Sequence, residues 1–198
     1  MESPDSSKSA PRPAKIADSG KFGRGTGPKL IETERLLLRE VDPDHDFQAW
    51  AEAFGDPDTV QYLGIEPMTR QQAWRSMAVI IGHWAIRGYG FFSVIEKASG
   101  KWAGRIGHWY PEGWPQPEVG WTLHPDFRGK GYALEAGAAC IDYAFQKLGW
   151  QEVVHLIAPE NTASIRVAEK LGSSFIREID HIPGFYDKPC LIYGQKRG

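Results

Sequence analysis

The feature that most constrains the fold is a short strand, a glycine-rich turn and a helix in direct succession at residues 118–145. Bulky apolar residues alternate with small or polar ones over 118–123, which predicts a strand with two unlike faces. The turn RGKGYA follows at 128–133. Apolar residues then recur at helical spacing and predict a buried stripe formed by Ala138, Ile141, Phe145 and Leu148. We therefore expect the glycine-rich turn at a helix N-terminus.

A turn of this kind suits a phosphate or pyrophosphate group. Unpaired backbone N–H groups and the positive end of the helix dipole meet there, and glycine lets an anion approach the main chain. Gly129 and Gly131 could instead form only a tight strand-to-helix turn, but Arg128 and Lys130 add positive charge and favour the anion site. The turn matches neither GxxxxGK(S/T) nor GxGxxG, which argues against a nucleoside triphosphate or a dinucleotide.

The chain from Ile31 onward alternates between strand-like and helix-like segments without internal repeats, which favours α/β or α+β over a helical bundle. The elements predicted before residue 118 are a strand at 35–40, a helix from Asp42-Pro43 through Phe54, a helix from Thr69 to about Arg87, an antiparallel hairpin of 91–95 with 102–110, and a loop at 111–117. The second helix carries apolar residues at helical spacing, namely Trp74, Met77, Ile81 and Trp84.

Length and composition fit one domain with an N-terminal tail. Of the 198 residues, 41% are apolar, enough for a core, and we expect a single domain at 29–198. Residues 1–28 are rich in Ser, Pro, Gly and Lys and predict a disordered tail. A formal net charge of -2 argues against nucleic-acid binding, and no window is apolar enough for a membrane helix. Two cysteines without a CxxC pair and no HExxH motif indicate a cytoplasmic, metal-free protein.

At these motifs the chain resembles the GNAT (general N-acetyltransferase) superfamily. The family's acetyl-CoA signature, R/Q-x-x-G-x-G/A, is matched by Arg128, Gly131 and Ala133. Four motifs occur in an order similar to that of the branch containing ribosomal-protein N-terminal acetyltransferases: ERLLLRE at 34–40, EVGW at 118–121, GYALEA at 131–136 and NTASIRVAEKLG at 161–172. The resemblance implies a mixed, mostly antiparallel sheet of about seven strands flanked by about four helices, with one parallel strand pair that splays apart.

The same resemblance implies acetyl-CoA as co-substrate and a primary amine, on a protein N-terminus or a small molecule, as acceptor, in a monomer or homodimer. The pantetheine arm would lie between the strands at 118–123 and 153–158, because its amides can pair with a free strand edge. By resemblance, Asn161 would hydrogen-bond the cofactor arm. Its residue type is also suited to cap the helix that follows it, and the two roles are compatible. The residues assigned to acetyl-CoA are Trp121, Leu123, Arg128, Gly129, Lys130, Gly131, Tyr132, Ala133 and Asn161.

Two residues are expected to act in catalysis. By resemblance, Ser164 lies near the thioester sulfur. It would replace the tyrosine that many relatives have as the acid at the position of Ala168. Alternatively, Ser164 is only a small packing residue. Glu118 is the expected base because it shares the less bulky strand face and follows a loop, and a solvated strand-end carboxylate is the alternative. Glu135 is expected to be a structural partner and is excluded from catalysis.

Acceptor contacts are expected from Trp114, in the proline-rich loop, and from Tyr186, which could instead be another acid. Two other functions stay open, the first because the usual tyrosine is absent and the second if the glycine turn binds no ligand. One is a non-catalytic acyl-CoA-binding or sensor module, and the other is a protein-interaction domain with a vestigial phosphate site.

Overall fold

The computed structural model describes residues 30–198, which contribute the strands of one eight-stranded sheet in the order β1-β2-β3-β4-β5-β6-β8-β7. The tail predicted at 1–28 lies outside the described residues. Along the chain the strands are β1 (Leu30–Glu32), β2 (Leu36–Arg39), β3 (Phe91–Glu96), β4 (Trp102–Trp109), β5 (Glu118–Leu123), β6 (Glu152–Ile157), β7 (Ser174–Ile179) and β8 (Cys190–Lys196).

The helices begin and end where the local sequence favours it. Asp42, directly before Pro43, caps the first helix: its carboxylate accepts a hydrogen bond from the backbone N–H of Asp44. Thr69 forms a capping box with Gln72. Gly88 ends the second long helix with φ 78°, a left-handed conformation that favours glycine. The α-helices of the described part are α1 (Pro43–Gly55), α2 (Pro57–Val60), α3 (Arg70–Arg87), α4 (Tyr132–Gln146) and α5 (Thr162–Lys170).

The fold class expected from the sequence is confirmed. The sheet is mixed and mostly antiparallel, and β5 and β6 form a parallel pair. The predicted hairpin is present as β3 and β4, with Phe91 opposite Gly107. The described residues contain one strand and one α-helix more than expected. The additional elements are β1, which has only three residues, and α2, which has only four. Elements this short leave no periodic pattern in the sequence.

The buried faces of two helices differ from the predicted stripes. Trp74 and Ile81 of α3 are 58% and 37% exposed, and Ala138 of α4 is also exposed. The predicted stripes followed side-chain size, whereas the buried faces are built partly from small residues that allow close approach. The residues buried in α3 are Ala73, Met77, Ile80, His83 and Trp84, and those in α4 are Tyr132, Ala133, Ala136, Gly137, Cys140, Ile141 and Ala144.

A buried carboxylate helps fix α1 to the sheet. Asp46 accepts two hydrogen bonds from the Arg39 guanidinium, at 2.8 and 2.6 Å, and one from the Ser93 hydroxyl of β3 at 2.6 Å. Beside it, Trp50 and Phe54 of α1 are fully buried. The Arg39 guanidinium therefore compensates the negative charge of Asp46, as a buried carboxylate requires.

Candidate active site

The parallel strands β5 and β6 separate almost as soon as they meet. Their register contains one residue pair, Glu118 with Val154, beside a 3.0 Å hydrogen bond from the N–H of Val154 to the carbonyl of Pro117. Farther along, the Val119 carbonyl bonds the ring of His155 rather than a strand, at 2.6 Å. The strand pair predicted to splay does so.

Backbone groups of β5 point into the opening between the strands. The N–H of His124 donates to the carbonyl of Ala103 in β4, and neighbouring residues of a strand direct their N–H and C=O groups to opposite edges. The main-chain groups of Trp121 and Leu123 therefore face the edge from which β6 has diverged. An extended ligand that carries amides can pair with such an edge.

A cavity of about 400 Å³ lies at this opening. Its volume is within the range of small-molecule sites. Strands β4, β5 and β6, the start of α5, helix α3 and the loop before β8 contribute to its walls. Among the residues predicted from the sequence, it brings together Trp114, Glu118, Trp121, Asn161, Ser164 and Tyr186.

Glu118 is a buried acid rather than a solvated one. The residue is 8% exposed, and burial raises the pKa of its carboxyl to about 7, against the opposing effects of the Leu156 N–H, the Trp114 indole and Arg105. Trp114 Nε1 donates to Oε2 at 2.8 Å, and the N–H of Leu156 donates to Oε1 at 3.3 Å. The alternative of a solvated strand-end carboxylate is wrong, because β5 begins beneath the aromatic loop.

Ser164 lies in the cavity wall as a hydrogen-bonded hydroxyl. The indole N–H of Trp121 donates to its Oγ at 3.1 Å, and its backbone N–H donates to the Oδ1 of Asn161 at 3.0 Å. An indole N–H is only a donor, so the hydroxyl proton of Ser164 is available to another acceptor. Asn161 caps α5, which confirms the capping role, and its side-chain amide also lines the cavity.

His155 acts as a bridge across the splay. Its Nδ1 lies 2.6 Å from the Val119 carbonyl and must carry the proton, while Nε2 lies 2.9 Å from the Ser173 hydroxyl and accepts from it. Burial lowers the pKa of this imidazole to about 4, so it is neutral near pH 7. Ala168, the position of the family tyrosine, is fully buried and is not part of the cavity wall.

The glycine-rich turn lies outside this cavity, at the start of α4. Gly129 and Gly131 have φ values of 75° and 81°, and Gly131 is the N-cap of α4. A Cβ on Gly129 would meet nothing within 4 Å. The turn therefore leaves its exposed main chain open to an anion, although tight-turn geometry also requires both glycines.

The side chains of the turn have partners of their own. Arg128 donates to the Thr59 hydroxyl and contacts Asp56 at 3.4 Å, while Lys130 contacts Glu96 at 3.4 Å. The side chains of Tyr132 and Ala133 are turned inward, and Tyr132 donates its hydroxyl proton to Glu96. Both residues can reach an anion only through the backbone. The assignment of this turn to acetyl-CoA stays a prediction.

Glu135 has the contacts of a structural residue. Its carboxylate accepts from the Thr33 hydroxyl at 2.6 Å and from the backbone N–H and Nε of Arg35 at 2.8 and 2.6 Å. These bonds tie the turn between β1 and β2 to α4. They agree with its exclusion from catalysis.

Sequence reasoning missed several residues of the cavity wall. Arg105 and Trp109 of β4, Phe91 of β3 and His155 of β6 all line it. The one available signal was an arginine between glycines in an otherwise apolar strand, GRIG at 104–107. Its meaning depends on which face of the sheet is covered.

Comparisons with known proteins agree with this architecture. The chain matches the family model described as acetyltransferase (GNAT) domain over residues 35–174. It is 32% identical over 152 residues to p20 of Bacillus licheniformis, named an uncharacterized N-acetyltransferase, covering 76% of this chain and 84% of p20. The crystal structure of an acetyltransferase from Agrobacterium tumefaciens str. C58 superposes with a TM-score of 0.74 at 27% identity, covering 90% of this chain and all of that one.

A more distant structure shares the fold. The ribosomal-protein-S5-alanine acetyltransferase from Vibrio fischeri has a TM-score of 0.65 at 19% identity, covering 84% of this chain and 96% of that chain. Within residues 30–198, no helix is long and apolar enough to cross a membrane.

Proposed function

Because the chain belongs to the GNAT acetyltransferase family, we propose that it transfers the acetyl group of acetyl-CoA to a primary amine, on a small molecule or a protein N-terminus, in a ternary complex. The observation that carries the proposal is the cavity where β5 and β6 diverge. There the buried carboxyl of Glu118 and the hydroxyl of Ser164 line one space. The cavity therefore brings a candidate base, Glu118, and a candidate hydrogen-bond donor, Ser164, to the free edge of β5.

The chain offers a fitting site for acetyl-CoA. The main-chain groups of Trp121 and Leu123 would pair with the pantetheine amides, and the amide of Asn161 would add a side-chain contact. The backbone of Gly129 and Gly131 at the start of α4 would bind the pyrophosphate. Arg128 and Lys130 would contribute positive potential rather than direct ion pairs, unless they leave Asp56 and Glu96.

Glu118 would serve as the base. With a pKa of about 7, its carboxyl is ionised in a large fraction of molecules at neutral pH and can take a proton from the acceptor amine, directly or through water. The lone pair of the neutral amine attacks the thioester carbon while Glu118 takes this proton from the nitrogen, so that the amide product is neutral. The C–N bond forms, negative charge develops on the carbonyl oxygen, and a backbone N–H of β5 stabilises it.

Ser164 would stabilise the leaving group. Collapse of the tetrahedral species breaks the C–S bond and leaves a thiolate, to which the Ser164 hydroxyl donates a hydrogen bond. Trp121 supports this role because its indole N–H occupies an acceptor site of Ser164 and leaves the hydroxyl proton free. Asn161 fixes the first turn of α5, on which Ser164 lies.

The experiment is release of free CoA thiol from acetyl-CoA with a panel of amines and N-terminal peptides. We expect at least one acceptor to be turned over, and Glu118→Gln to lower kcat/KM by about 100 to 10,000-fold. Glu160→Gln, which removes an exposed carboxylate, is the matched control. Binding of acetyl-CoA without turnover of any acceptor would instead favour the non-catalytic acyl-CoA-binding module.

A further inference from the structure

Arg105 lies in the cavity wall without a polar partner. Within residues 30–198, its guanidinium forms no hydrogen bond or ion pair, and its Nε is buried. Three aromatic rings surround it: the guanidinium carbon is 4.6 Å from the centroid of Phe54, 4.7 Å from that of Phe91 and 5.3 Å from that of Trp50. The rings attract the cation but offer no hydrogen-bond acceptor.

Two buried carboxylates of the described residues have hydrogen-bond donors of their own. Asp46, the buried acid of α1, is held by Arg39 and Ser93. Glu118 accepts from Trp114 and from the N–H of Leu156. Burial lowers the pKa of Arg105 to about 10, with Glu118 opposing the change, so the guanidinium stays charged at neutral pH. A desolvated cation without an acceptor is costly, and an anion that enters the cavity would relieve the cost.

The sheet places Arg105 and Glu118 at two ends of one floor. Arg105 lies opposite Thr122 and Glu118 opposite Trp109, so all four share a face, with Gly107 opposite Gly120 between them. Thr122 and Glu118 are separated by about 13 Å along β5 at the usual rise of a strand. The two glycines place no side chain on the middle of this face, and the Phe91 ring lies over Gly120.

The walls around this floor are mainly apolar. Ile80 of α3, Trp109 of β4, Trp114 and Phe185 line the same cavity. The space therefore presents a cation at one end, a basic carboxylate at the other and apolar surface between them. Those features match a small molecule with an amine, an apolar body and an anionic group.

We propose that Arg105 binds a carboxylate of the acceptor, which makes the acceptor an ω-amino acid or a similar small amine whose apolar body separates the amine from the carboxylate. The proposal rests on the acetyl transfer proposed above and names its substrate class. The acceptor amine would lie toward Glu118 and the thioester. Planar, paired N–H donors of a guanidinium suit a carboxylate better than a neutral group.

Matched pairs of acceptors test the proposal. In each pair hydrogen replaces the carboxylate: 5-aminopentanoate and butylamine, 6-aminohexanoate and pentylamine, 8-aminooctanoate and heptylamine. We expect a carboxylated member to exceed its partner in kcat/KM by at least about 10-fold. Arg105→Met should bring this ratio close to one, chiefly by raising the KM of the carboxylated acceptor, and Arg105→Lys should retain part of it.

Arg70→Met is the control variant. The Arg70 guanidinium also lies over an aromatic ring, at 4.5 Å from the centroid of Phe47, but the residue is outside the cavity. Its replacement should leave the acceptor ratio unchanged. The thermal midpoint of Arg105→Met should equal or exceed that of the wild type, because methionine fills a partly buried site without an unpaired charge. Equal losses on both members of every pair would refute a carboxylate contact.

A binding measurement separates this proposal from the proposed function. In the presence of CoA, the N-acetylated form of 6-aminohexanoate should bind more tightly than N-acetylpentylamine, and Arg105→Met should abolish the difference. If this preference is found but no amine is acetylated, the proposed function is wrong and the carboxylate site stands. Equal affinities in the wild-type protein, or turnover of N-terminal peptides alone, would overturn the assignment of Arg105.

Discussion

Replacing Glu118 by glutamine removes a buried titrating group while keeping its shape. The carboxyl has an ordinary pKa of 4.5 and a folded-state pKa of about 7, because burial disfavours its charged form. The folded protein therefore holds this proton more tightly than the unfolded chain. The stability it contributes is complete below pH 4.5 and is lost as the pH rises through 7.

The size of the effect follows from these two pKa values. At about 1.36 kcal/mol per pKa unit, raising the pH from about 5 to about 8 should cost the wild type about 2 to 3 kcal/mol of unfolding free energy through this group. Glutamine does not titrate, so Glu118→Gln avoids the loss. Its stability relative to the wild type should therefore rise by that amount between the two pH values.

Denaturant unfolding of both proteins at the two pH values measures this difference. Groups elsewhere in the chain titrate in both proteins, so their contributions cancel. The wild-type pH profile of kcat/KM should also rise with an apparent pKa of about 7, provided Glu118 is the base. A stability difference that does not change with pH would refute the reasoning, because it would mean that the carboxyl titrates as an exposed one.

Three further variants test the rest of the site. Gly131→Val should remove the rise in thermal midpoint caused by acetyl-CoA, measured against Gly149→Val, which forces a side chain onto a similar φ of 70° with nothing within 4 Å. Ser164→Ala should lower kcat and kcat/KM together by about 10 to 1,000-fold with little change in acetyl-CoA affinity. An undiminished kcat would exclude Ser164 from the mechanism. Ala168→Tyr should fail to rescue that enzyme and should destabilise the fold by about 1 to 3 kcal/mol in denaturant unfolding, because residue 168 is fully buried. Rescue would show that the ring reaches the cavity.

The sequence by itself determined the local elements and their ends. Asp42 before Pro43, Thr69 three residues before Gln72, and Gly88 each fix a helix end through contacts within one turn. The same holds for the glycine turn at the start of α4 and for Asn161 at the start of α5. Such signals are local, so they can be read without knowing the partner surface.

Helix faces and short elements depended on the tertiary structure. Trp74 and Ile81 have the right spacing for a core stripe, but α3 is buried on a different face, which includes Ala73 and His83. Hydrophobic spacing identifies a helix more firmly than it identifies which neighbouring residues the partner covers. The three-residue β1 exists through its pairing with β2, which no local pattern records.

The site divides in the same way. The types and order of Glu118, Trp121, Asn161 and Ser164 pointed to them as candidates, since each lies in or beside a recognisable motif. Only the divergence of β5 from β6 decided that these residues line one cavity with Trp114 and buried Glu118. Arg105 and His155 were invisible as site residues, because burial and the absence or presence of a partner are properties of packed neighbours distant in sequence. A residue's chemistry is fixed by its type, but its charge, solvation and access are fixed by what the fold places around it.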